Sequence, residues 1–110
     1  AADLVKGMAH ITGGGITENL PRVLPEGCAA VIDTSAWTAP ALFQFLQYRG
    51  GIEPAEMFRA FNMGIGLVAV CSTRDAGRAI SMLETAGMPN AVLMGQIVPG
   101  ERGVRYDRMP

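Results

Sequence analysis

Gly66-Leu67-Val68-Ala69-Val70-Cys71 runs without a polar side chain into Ser72-Thr73-Arg74-Asp75, after which Ala76, Ala79, Ile80 and Leu83 recur at i, i+3, i+4 and i+7. The continuous apolar run predicts a central strand, covered on both faces and lying deep in the molecule. Ser72 through Asp75 reads as a capping box, and the periodicity after it predicts a helix that Gly87 and Pro89 bring to an end. Upstream, Pro54 suits the first turn of a short helix with Met57, Phe58 and Phe61 on one side, ending near Asn62. Before it, Pro40 opens a helix whose apolar face is Leu42, Phe43, Phe45 and Leu46, and Gly50-Gly51 stop it. Ala29-Ala30-Val31-Ile32-Asp33, bounded by Pro25-Glu26-Gly27 and Thr34-Ser35, suits a strand. Downstream, Val92 to Val98 reads as a strand with a glycine at position 95. Pro99-Gly100 then turns the chain into Gly103-Val104-Arg105-Tyr106-Asp107, whose alternation predicts an edge strand in a hairpin with its predecessor. Strand, two helices, strand, helix and strand in this order predict an α+β fold, a mixed β-sheet packed with helices.

Composition narrows the class. The 110 residues suit one compact domain, residues 1–110, with one hydrophobic core. Nine basic against ten acidic residues leave a net charge of −1, without the positive field that nucleic-acid binding requires. Cys28 and Cys71 lie far apart among small apolar neighbours and read as reduced thiols, and no metal-ligand spacing occurs. The apolar run from Ile65 to Cys71 is far below the roughly 20 residues that span a bilayer, and the N-terminus lacks a charged-then-apolar leader, so a cytoplasmic protein is expected. The seven methionines and the aromatic residues fall mostly at helical spacing, where core packing is their default role.

Chemistry concentrates in His10-Ile11-Thr12-Gly13-Gly14-Gly15-Ile16-Thr17-Glu18-Asn19-Leu20-Pro21-Arg22. Residues without Cβ reach positive φ, can turn successive N–H groups toward one point, and here precede a helix start, so the segment can cradle a phosphate. Its spacing is neither Walker A nor the dinucleotide fingerprint, and a sharp chain reversal would account for the glycines equally well. His10 is the one histidine of the chain, placed where it could donate to an anion or move a proton, although a satisfied structural histidine fits the same pattern. Asn19 and Arg22 are one helical turn apart and could offer an amide and a guanidinium to a phosphorylated ligand, or form a solvated surface pair. In Phe61-Asn62-Met63-Gly64-Ile65-Gly66, two glycines at the entry to a strand permit close approach of a backbone or a ligand.

Taken together, His10 to Gly15, Glu18 to Pro25 and Phe61 to Gly66 resemble, in order and spacing, the C-terminal domain of the phosphoribosylformylglycinamidine cyclo-ligase (aminoimidazole ribonucleotide synthetase) family. Ala30 to Asp33, Trp37 and Glu56 to Arg59 fit as well, so the resemblance covers nearly the whole chain. It implies part of a purine-biosynthesis enzyme that uses ATP and Mg²⁺ to close the imidazole ring of formylglycinamidine ribonucleotide, releasing ADP and phosphate. It further implies a homodimer whose N-terminal domain holds much of the ATP and metal site. His10 would then be catalytic. Thr12, Gly13, Gly14, Gly15 and Asn19 would line the substrate or phosphate side, supported by Asn62, Gly64 and Gly66. Because acidic metal-binding motifs are absent and the chain starts at Ala1-Ala2-Asp3, on what would be the end of a helix, the resemblance implies a domain truncated at its N-terminal side and inactive alone. A half-covered sheet would favour self-association. Other readings are a metabolite-binding regulatory domain without chemistry, or a relative such as selenophosphate synthetase.

Overall fold

The computed structural model describes residues 5–88 and 90–108. Its elements follow the order β1 (Val5–His10), α1 (Gly15–Asn19) running into a 3₁₀ turn (Leu20–Val23), β2 (Cys28–Asp33), α2 (Ala41–Gly50), α3 (Pro54–Ala60), β3 (Leu67–Cys71), a 3₁₀ turn (Thr73–Asp75), α4 (Ala76–Thr85), β4 (Gly95–Pro99) and β5 (Gly103–Asp107). The α+β class therefore holds, with the sheet divided in two. One sheet pairs β1 with β3 antiparallel, and the other has the order β4-β2-β5. Ile16, Leu20 and Met57 lie at the centre of the core, which also takes Ile32 from β2 and Val68 from β3. Burying apolar side chains from both sheets and from α1 and α3 in one cluster is what ties the two sheets together.

The run from Gly66 to Cys71 does not lie deep. Within the described residues β3 pairs with β1 alone, and its residues alternate, with Val68 6% exposed against 59% for Leu67. The register Ala9↔Val68 and His10↔Leu67 places Ala9 and Val68 on the core face and His10 and Leu67 on the outer face. A run of apolar residues shows how much of a strand is apolar, not how many of its faces are covered; only the neighbouring elements decide that.

β4 and β5 do not form the expected hairpin. They flank β2, β4 antiparallel through Ala30↔Ile97 and β5 parallel through Ala30↔Val104. The turn at Pro99-Gly100 reverses the chain as its residues predict. Gly100 N–H, however, donates to Gly27 O at 2.9 Å, so the connection crosses the start of β2 and delivers β5 to the far edge. β5 is an edge strand, as its alternation suggests, and β4 begins only at Gly95, with Met94 O still accepting from Asp33 N–H at 2.8 Å. The mixed character of this sheet follows from that crossing.

The helices stand where the periodicity puts them, but two details differ. Ser72 caps with its backbone, its carbonyl accepting from Asp75 N–H at 2.9 Å, and no side-chain capping bond forms. A 3₁₀ turn occupies the first residues instead, and α4 begins at Ala76. The apolar face of α2 is only partly covered. Phe43 packs on Phe61 with ring centres 5.7 Å apart, whereas Leu42 and Phe45 are largely exposed. Several methionines likewise stay at the surface, among them Met8, Met82 and Met88, while Met57 and Met63 are buried. Both cysteines are free and half-buried. No described helix is long and apolar enough to cross a membrane. The readings at Ala1 to Asp3 and Pro89 lie outside the described residues.

Candidate functional site

The glycine-rich turn is built from its backbone. β1 ends at His10, Ile11 is buried, and the chain reverses through a Gly15 N–H to Thr12 O bond of 3.0 Å into α1. Gly14 and Gly15 both take left-handed conformations, with φ of 96° and 62°. At Gly15 two demands coincide, since a Cβ there would strike the backbone oxygens of Phe58 on α3 and of Phe61 just beyond its end. Only glycine permits both the dihedral and the approach. Gly13 differs, for a Cβ on it would meet nothing within 4 Å. Among the described residues neither the Gly13 nor the Gly14 amide donates to a backbone carbonyl, which leaves two adjacent N–H groups on an exposed turn, available to an anion.

Asn19 holds that turn from inside. It is 5% exposed, and its Nδ2 lies 2.8 Å from Gly15 O, 3.2 Å from Gly13 O and 3.3 Å from Thr12 O. Its Oδ1 accepts from Thr12 Oγ1 at 3.4 Å. An amide surrounded by carbonyls can serve several of them weakly and draws all toward one point; in the Thr12–Gly13 and Gly13–Gly14 peptide units the N–H ends therefore point away from it. The pairing of Asn19 with Arg22 that their spacing suggested does not occur, because Asn19 is committed inward while Arg22 is exposed.

The second glycine segment joins the first through one bond, from Ile11 N–H to Gly66 O at 2.9 Å. Asn62 shapes the turn before it. Its Oδ1 accepts from Gly64 N–H at 2.8 Å and its carbonyl from Ile65 N–H at 3.0 Å, the geometry of an Asx turn. Met63 sits at φ 55°, a rare conformation for its residue type. Trp37 Nε1–H secures it by donating to Met63 O at 3.0 Å. His10 stands on the outer face of the β1–β3 ribbon, exposed, beside the Thr12 turn. The structure thus gathers His10, Thr12, Gly13 and Gly14 on one surface with Gly66 bonded to it and Asn62 and Gly64 in the adjoining turn, while Gly15, expected from its motif on the same side, is buried against α3 with Asn19.

Residue spacing leaves two side chains of this region unnoticed. Thr17 Oγ1 lies 3.2 Å from Phe58 O and 2.7 Å from the Tyr106 hydroxyl. Burial pushes the Tyr106 phenol above its ordinary pKa, opposed in part by that bond to Thr17. Neither residue carries a motif, and they are 89 positions apart; the alternation of β5 marks Tyr106 only as a side chain on one face. Concavities elsewhere, along α4 by Met82 and Thr85 and at the corner of Gly27 and Gly100, do not include the glycine turn.

Over residues 1–108 the sequence matches the family described as AIR synthase related protein, C-terminal domain. The chain belongs to this family. Among curated relatives, the phosphoribosylformylglycinamidine cyclo-ligase of Pseudothermotoga lettingae is 49% identical over 102 residues, which are 93% of this chain and 30% of that protein. The enzyme of that name from Cupriavidus metallidurans is 59% identical over 83 residues, 76% of this chain and 24% of that protein. A chloroplastic one from Arabidopsis thaliana is 51% identical over 102 residues, 93% of this chain and 26% of that protein. The chain spans less than a third of the length of these relatives. Two solved structures share the fold over 94% of the chain and 32% of their own. They are thiamine-monophosphate kinase from Stenotrophomonas maltophilia, at TM-score 0.67 and 15% identity, and a hydrogenase maturation protein from E. coli, at 0.68 and 21%. The family assignment agrees with the resemblance carried by the two glycine motifs.

Proposed function

We propose that this chain is the C-terminal domain, or most of it, of a phosphoribosylformylglycinamidine cyclo-ligase, and that its glycine turn receives the phosphate side of formylglycinamidine ribonucleotide. The observation that carries the reading is the Ile11 to Gly66 bond, which joins the two family motifs beside two outward amides. In this reading Thr12, Gly13 and Gly14 meet the substrate, Gly15 anchors the turn on α3 from beneath, and Gly64, Gly66 and Asn62 shape the wall next to them. Asn19 acts by aiming the loop amides rather than by touching ligand. His10, two residues from the turn and exposed, is the group that moves a proton during ring closure.

ATP and Mg²⁺ belong to the whole enzyme in this reading. The described residues hold no group of three or more His, Cys, Asp or Glu side chains that could ligate a metal, so a dedicated metal site does not fit here. We assign the metal, most of the ATP contacts and the homodimer interface to the part of the relatives that this chain does not span. The open setting of the turn, with Thr12 and Gly13 exposed, supports the same division, since small-molecule sites are clefts that bury most of the ligand. A small-molecule substrate and a cytoplasmic location accompany this reading, and the chloroplastic relative places the same activity name in a plastid.

Steady-state kinetics of the intact cyclo-ligase carrying this segment test the proposal. ADP release should depend on formylglycinamidine ribonucleotide, and His10→Ala should lower kcat by about 10²-fold or more, the usual worth of a general acid or base. Absence of ribonucleotide-dependent ADP release would refute the functional reading. Unchanged kcat in His10→Ala would remove His10 from the catalytic role alone.

A further inference from the structure

The hydroxyls of Thr17 and Tyr106 form a directed chain. Phe58 O can only accept, and Thr17 Oγ1 lies 3.2 Å from it. A threonine hydroxyl has a single proton, so with that proton given to Phe58 the Tyr106 phenol must be the donor across the 2.7 Å contact to Thr17. The Tyr106 ring also packs against the Phe58 ring, tilted by 34° with centres 4.7 Å apart. Phe58 O belongs to the last turn of α3, where carbonyls lack intrahelical partners, and it is one of the two oxygens that a Cβ on Gly15 would strike. One carbonyl thus takes the proton of Thr17 and forms the floor beneath Gly15.

We propose that Tyr106 and Thr17 are positioning residues for the glycine turn, clamping α1 against α3 so that the Gly13 and Gly14 amides keep a fixed outward direction. The inference rests on the functional reading above only in taking those amides as the phosphate side. It gives β5, the far edge of the second sheet, a part in the site: β5 carries the phenol that orders a turn 89 residues earlier. The two contacts are side chain to side chain and side chain to backbone, so they can be removed without altering any sheet or helix ladder.

Two measurements on Tyr106→Phe, Thr17→Val and Thr17→Ser decide it. In the intact enzyme, Tyr106→Phe and Thr17→Val should raise KM for the ribonucleotide about fivefold, the factor corresponding to one net hydrogen bond. They should leave kcat within about twofold, and Thr17→Ser, which keeps the hydroxyl, should restore the wild-type KM. Amide hydrogen exchange should accelerate at Gly15 and Glu18, whose N–H groups bond within the turn, in the two hydroxyl-deleting variants and stay unchanged in β1 and β3. Exchange in the turn equal to wild type would overturn the clamp. So would a KM effect that Thr17→Ser fails to restore, because packing alone would then account for it. Faster exchange with an unchanged KM would support the clamp and instead refute the turn as the phosphate side, so the two ideas fail separately.

Discussion

Replacing Gly15 with alanine brings two penalties together at one residue. At φ 62° an L-residue pays about 1–2 kcal/mol for the left-handed conformation. The new Cβ would also strike the oxygens of Phe58 and Phe61. Those are backbone atoms of one helix and its end, so relief requires α3 to move, and forced displacement of packed elements costs about 1–3 kcal/mol. The expected loss is therefore about 2–5 kcal/mol, a large share of the roughly 5–15 kcal/mol that holds a domain folded. Gly13→Ala provides the internal control, since a Cβ there meets nothing within 4 Å; it should be neutral or slightly stabilising through the unfolded state. Gly14→Ala should also be costly, because its φ is 96° and the new Cβ would lie 2.8 Å from Glu18 Cβ, which is fixed to the α1 backbone and does not move when the side chain turns. Thermal unfolding followed by circular dichroism reads the series. At about 4–8 °C per kcal/mol for a domain near this size, Gly15→Ala should lose at least about 8 °C while Gly13→Ala stays within a few degrees of wild type. Equal midpoints for the two variants would refute the account of the turn as closed on one side by α3 and open on the other.

Three further outcomes follow from particular atoms. Asn19→Ala should cost about 1–3 kcal/mol in urea unfolding because buried carbonyls lose their donor, and Asn19→Asp should cost at least as much, since a carboxylate offers those carbonyls only repulsion; an Asp variant more stable than the Ala variant would sink the brace. Asn62→Ala should release the Gly64 amide, bonded at 2.8 Å, and raise its hydrogen exchange selectively, while unchanged exchange would mean the turn does not depend on that bond. Tyr106 provides a pH signature. Its folded pKa is raised above the ordinary 10.0 by burial, so the unfolded chain releases that proton first and stability falls as pH climbs past 10. Tyr106→Phe should flatten this decline above pH 10 and leave the neutral range nearly parallel, a difference that alkaline urea titrations of the two proteins would show or exclude.

Residue patterns read well wherever the information was local. Pro40 and Gly50-Gly51 bracket α2, Pro54 opens α3, and the i, i+3, i+4, i+7 set through Leu83 marks α4. Each signal acts within a turn or two of the chain, through dihedral limits and backbone capping, and tertiary context did not override it. β2 was legible for the same reason, as a branched run between turn residues. β1 was not, because Val5-Lys6-Gly7-Met8-Ala9-His10 has no branched run, and its glycine accompanies an irregular register against β3. The site was legible as a pair of motifs but not as an arrangement. Asn19, taken from the pattern as a group facing ligand, is directed by its bonds into the carbonyls of its own turn. The amide could face either way from its place on α1, and the curvature of the turn decides between them.

What the amino-acid order determined was the family, through two motifs whose glycines meet local dihedral demands at Gly14, Gly15 and Gly64, and the succession of strands and helices. Only the tertiary structure decided which strands are neighbours, which face of β3 is covered, and what lies under the glycine turn. The physical reason is one of range. Dihedral preference and periodicity act between residues a few positions apart, whereas pairing β5 with β2, or a phenol at position 106 with a hydroxyl at position 17, depends on which distant surfaces bury the most apolar area together, and no single stretch of the chain carries that comparison.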